Sequence, residues 1–169
     1  MTGGMRLVDF TSDDLAPVLR EMAPLGASRA GWVNVKPRPE EDPAEFMTEF
    51  APTPVPAPLG VFSRRRTTAV EGTWIPGQRT KRGVDPASVG LEHPAGRFAV
   101  RQLRDAGCPV PEGWKVIVDH ARRGLVLSVP EREDPEAQQE LILSWLVRAA
   151  TTLALVPMTG RWQAEIHHR

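Results

Sequence analysis

Two dipeptides in this chain set a carboxylate beside an imidazole: Glu92-His93 and Asp119-His120. Such a pair can move a proton, because the carboxylate orients the ring and stabilises its charged form. If the two pairs met in one cleft, Glu92, His93, Asp119 and His120 would suit small-molecule or phosphate-ester chemistry. Arg122 and Arg123 follow directly, and Arg97, Arg101 and Arg104 recur along one face of a predicted helix. Together they offer a patch for an anionic ligand such as a phosphate or a single-stranded nucleic acid.

A plainer reading covers the same residues. Asp119-His120-Ala121-Arg122-Arg123-Gly124 lies between two apolar runs, Trp114–Val118 and Leu125–Val129. An aspartate that bonds turn amides and a glycine free to take positive φ are what a hairpin tip requires. A four-residue connection, 121–124, would set His120 opposite Leu125. This turn reading is the preferred one, with catalysis as the alternative.

Other chemistry finds little support. The four histidines (93, 120, 167 and 168) show no H-E-x-x-H spacing, and one cysteine cannot make a C-x-x-C pair. No metal site and no cofactor is therefore expected. Serine-nucleophile signatures are missing. Cys108 falls just past a predicted helix C-terminus, whose partial negative charge disfavours a thiolate. The approach to a phosphate loop, Gly90 to Gly96, is spoiled by Glu92 and by Pro94, which has no N–H.

Composition sets the frame for these residues. The 169 residues are 41% hydrophobic and 25% charged with zero net charge, which fits one ordinary globular domain. A zero total gives no long-range pull toward nucleic acid or acidic lipid. The distribution is uneven: five basic against nine acidic residues over 1–60, twelve against six over 61–129, and four against six over 130–169. Arginine outnumbers lysine 18 to 3, as in proteins of GC-rich bacteria, and this weakens any argument from arginine alone. One cysteine and a start without a basic, apolar leader point to a reducing cytoplasm. The greasy run 141–158 carries Arg148 and ends at Pro157, so a buried helix is expected there and no membrane span.

The elements that would position the candidate residues follow from periodicity. Leu15, Val18, Leu19, Met22 and Leu25 make one helical stripe, opened by Thr11 and stopped by Gly26. Strands are predicted over 31–36, 59–63, 67–75, 88–92, 114–120 and 125–129, with a last edge strand over 160–167. Residues 76–87 read as a polar loop. A helix from His93 to Ala106 would bury Phe98, Ala99, Leu103 and Ala106. Asp134, Pro135 and Glu136 open a long helix with apolar residues round most of its circumference. Between the first two strands, residues 37–58 hold seven prolines and five acidic residues. In this excursion Asp42 and Pro43 start a short helix whose Phe46, Met47 and Phe50 form an apolar face that must dock on its own domain or on a partner, and it is the best candidate for a subunit contact.

Hairpins dominate over regular βαβ alternation. The expected fold is therefore α+β, a mostly antiparallel sheet packed against a long C-terminal helix and two shorter ones, in one domain over 1–169. With no catalytic constellation legible, the expected role is a cytoplasmic binding or protein-interaction module, acting as a homodimer. The enzyme at His93, Asp119 and His120, and nucleic-acid or anion binding through the basic middle, stand as alternatives.

Overall fold

The computed structural model describes residues 4–38 and 70–168. The strand expected over 59–63, the start of the one over 67–75, and the short helix with Phe46, Met47 and Phe50 lie outside the described residues. Among the described residues, seven of nine strands join in one sheet: β1 (Met5–Thr11), β2 (Trp32–Pro37), β3 (Glu71–Ile75), β6 (Ala87–Glu92), β7 (Lys115–His120), β8 (Gly124–Val129) and β9 (Arg161–His167). Their order is β1-β9-β2-β3-β6-β8-β7, and every neighbouring pair is antiparallel. The remaining two, β4 (Arg79–Thr80) and β5 (Gly83–Val84), form a small separate ribbon. Three helices among the described residues, α1 (Ala16–Ser28), α2 (Ala99–Asp105) and α3 (Pro135–Leu153), complete an α+β fold. Among the described residues, no helix is long and apolar enough to cross a membrane.

The core is built where strand alternation meets the helices. Val33 and Val35 of β2, Trp74 of β3, Val89 and Leu91 of β6, Leu125 and Leu127 of β8, and Trp162 and Ile166 of β9 are buried. Against them lie Val18, Met22 and Leu25 of α1 and a wide arc of α3 from Ile142 to Leu153. The opposite residues of the same strands carry polar groups, so one sheet face is covered by helices and the other is mainly polar. Asp134 caps α3 as expected, its Oδ1 accepting from the N–H groups of Glu136 and Ala137 at 3.1 and 3.0 Å.

Several local expectations are corrected. Residues 5–11 form a strand, paired over seven positions with β9, which is consequently interior. Thr11 still helps the following turn, accepting from the Asp14 N–H at 3.2 Å, but α1 begins only at Ala16. Gly26 does not end α1. A Cβ there would crowd only the end of the flexible Gln139 side chain of α3, and Arg29 makes the left-handed C-cap at φ 56°. The helix expected from His93 starts at Ala99, because Phe98 takes φ 63° and turns outward, 66% exposed.

The tip between β7 and β8 is also one residue shorter than expected. His120 pairs with Gly124 and Asp119 with Leu125, leaving a three-residue connection, 121–123. Gly124 has φ 74°, and a Cβ there would lie 2.5 Å from the Leu91 carbonyl oxygen. Both facts require glycine, and three-residue loops with a left-handed residue are a favoured hairpin class.

Candidate functional site

The sequence candidates are close to one another, but each already has local work or none. Asp119 Oδ1 and Oδ2 accept from the N–H groups of Ala99 and Val100 at 3.1 and 3.2 Å. The carboxylate on β7 thus caps α2, a helix with no capping side chain of its own. His120 Nδ1 accepts from the Arg122 N–H at 3.1 Å, tightening the tip. His93 is 8% exposed, and neither ring nitrogen has a hydrogen-bond partner. Burial holds its pKa below the usual imidazole range, opposed by the nearby Asp119 charge. Glu92 is exposed at the end of β6. No hydrogen bond connects His93 to a carboxylate, as general acid–base work would require.

The arginines are all solvent-facing. Arg101 and Arg104 of α2 both lie against Asp105, at 3.6 and 3.3 Å, while Arg97, Arg122 and Arg123 are exposed. Cys108 is buried, and that burial raises its thiol pKa, with Arg148 opposing. No group of three or more His, Cys, Asp or Glu among the described residues could hold a metal ion.

Two assemblies went unseen in the sequence. The first lies on the polar sheet face. There Lys36 pairs with Glu165, the Thr73 hydroxyl donates to Asn34 Oδ1 at 3.0 Å, and Trp32 stacks on His167 with centroids 4.4 Å apart. Glu71 sits directly opposite Glu92 on the neighbouring strand. Burial first, then the charges of Glu92 and Glu165, push the Glu71 carboxyl up, against the pull of Lys36. Glu165 is held low, chiefly by its hydrogen bond to Lys36. Lys36 with Glu165 and Thr73 with Asn34 satisfy one another across three strands, while Glu71 faces the like charge of Glu92 and His167 Nε2 is buried without a hydrogen bond.

The second is a cleft of about 840 Å³ between the end of α1, the beginning of α3 and the β4–β5 ribbon. Trp74, Val129 and Ile142 give it an apolar lining, with Pro76, Pro86 and Pro135 around them. Gln139 also lines it. This residue is 7% exposed, yet its carboxamide has no hydrogen-bond partner among the described residues. The Trp74 indole N–H is likewise buried and unpartnered. Five acidic and three arginine side chains border the cleft, and Arg29 is paired with Glu131. None of its lining residues is histidine, cysteine, serine, threonine or lysine. Nor does it include any residue that the sequence offered as a catalytic, anion-binding or interface candidate. The one available signal was Gln139, an amide at a position where the helical pattern expects an apolar group.

Fold and site together define an antiparallel α+β protein with a one-sided helical layer and a cleft at one end of that layer. Comparison with known proteins finds no matching family model, no similar curated protein and no similar solved structure.

Proposed function

We propose that this chain is a non-catalytic binding module whose ligand occupies the cleft at the start of α3. The observation that carries this reading is the Trp74 indole N–H, buried and unpartnered in the lining of a concave, partly apolar site that also holds the unpartnered carboxamide of Gln139. An N–H left unpaired in a protein interior costs about 1–3 kcal/mol, so it calls for a partner. Pockets of roughly 300–1,000 Å³ with a few convergent polar groups are the usual form of a ligand site.

A fragment screen by NMR on the full chain tests this. Fragments of mixed charge should cluster their shift changes on the Trp74 indole N–H and the Gln139 side-chain amide. A screen in which no fragment moves either signal would remove the cleft as a site.

The proposal includes self-association as a homodimer. The supporting feature is β1, a regular seven-residue edge strand with Met5 and Leu7 56% and 51% exposed. A reducing, cytoplasmic setting is the other part of it, supported by a lone cysteine that is buried and unpaired.

A further inference from the structure

The charge and closure of the cleft narrow the chemistry of its ligand. A helix N-terminus ordinarily attracts anions through free amide groups. At α3 those groups are used: residue 135 is proline, the 136 and 137 N–H groups donate to the Asp134 carboxylate, and the 138 N–H donates to the Asp134 carbonyl at 3.1 Å. The capping carboxylate also places a negative charge where an anion would sit. Around it Glu131, Glu133 and Glu136 follow in one run, with Asp85 across the cleft. Against these five acids stand Arg29, Arg79 and Arg132, the first already engaged by Glu131. An acidic ligand would therefore meet repulsion and find no amide nest.

Gln139 supplies the complementary requirement. Its carboxamide presents two donors and one acceptor oxygen. A peptide group, with one N–H and one C=O, matches that pattern in two hydrogen bonds. The apolar floor suits the uncharged portion of a chain, and the acidic run suits positive charges spaced along it.

We propose that the cleft takes a basic peptide segment, one of whose main-chain amides pairs with the Gln139 carboxamide. This rests on the cleft being a ligand site. It adds the ligand class and the group that reads it.

The experiment is an NMR titration of the labelled full chain with three probes: a blocked alanine–arginine–alanine–arginine–alanine peptide, the same peptide with glutamate for arginine, and N-acetylarginine methylamide. Signals of Gln139 and Trp74 are assigned from the Gln139→Met and Trp74→Phe variants. The arginine peptide is expected to shift both signals saturably, and the glutamate peptide to leave them unmoved. Gln139→Met should weaken the arginine peptide about tenfold, the scale of one lost hydrogen bond. Its melting temperature should stay level or rise, because the amide it removes is unpaired in the free protein.

Equal binding of the glutamate peptide would overturn the charge assignment. Saturation by N-acetylarginine methylamide at the same affinity would make the ligand a small cation and not a peptide. Unchanged affinity in Gln139→Met, or a clear loss of its stability, would remove Gln139 as the reading group. If fragments occupy the cleft while the arginine peptide does not, the binding module stands and the ligand class falls.

Discussion

His93 shows how a residue chosen for chemistry can be explained by burial. Its ring is enclosed beside Asp119 with both nitrogens unpartnered, so the folded protein favours the neutral form. The direction of the pH effect follows. Above the ordinary value of 6.5 both folded and unfolded chains hold a neutral ring, and stability is full. As pH falls below that value, the unfolded chain takes up a proton that the fold still resists. Stability then declines until the folded value is passed. His93→Leu should remove this part of the acid response and leave stability near neutral pH level or slightly higher, since an unpaired polar group is lost. Melting temperatures of both proteins from about pH 7.5 to about pH 5 provide the check. Parallel curves would show that protonation elsewhere governs the decline.

Helix caps carry the argument at the scale of elements. Asp134 caps the helix that follows it, a relation visible in the sequence as Asp-Pro-Glu before an apolar run. Asp119 caps α2 from a strand more than a dozen residues away, which no local pattern announces. Substituting either aspartate by alanine should cost about 1 kcal/mol, the usual worth of a cap. The two losses should differ in reach. α3 has nineteen residues and a broad buried arc, so Asp134→Ala should loosen its first turn alone. α2 has seven residues and cannot persist without support, so Asp119→Ala should speed amide exchange across Ala99–Asp105. Hydrogen exchange by mass spectrometry separates these outcomes, and protection of α2 unchanged in Asp119→Ala would refute the cap. The same contrast explains which elements were legible. The long helix and β2, β6, β8 and β9 follow from periodicity and caps. β1 escaped because Met5 and Leu7 put apolar groups on the polar face too, blurring its alternation, and the β4–β5 ribbon is too short to show a period. Gly26 misled because the left-handed cap that a glycine usually supplies falls to Arg29 instead.

At the scale of the whole molecule, the cleft was illegible because it belongs to no segment. Its walls come from residues 23–29, 74–87 and 129–142, joined only when α1 and α3 meet over the ends of three strands. The sheet's two edges are a similar property of assembly, and they are not equivalent. β7 carries a register shift between Val116 and Val118, a bulge that twists the edge and hinders a further strand. β1 is regular along its whole pairing with β9, and its outer side has no neighbouring strand among the described residues. Two copies meeting there about a two-fold axis would extend both sheets antiparallel and bring exposed Met5 and Leu7 side chains together. Leu7 pairs across the sheet with Glu165 inside its own chain, so a lysine at position 7 fits the isolated fold. In the pairing of two copies the new charges would repel. Leu7→Lys is therefore expected to shift the chain from dimer to monomer in light scattering at about 100 μM, and its melting temperature should no longer rise with protein concentration. A wild-type chain that runs as a strict monomer at that concentration would end the dimer proposal, and a dimer that survives Leu7→Lys would move the interface away from β1.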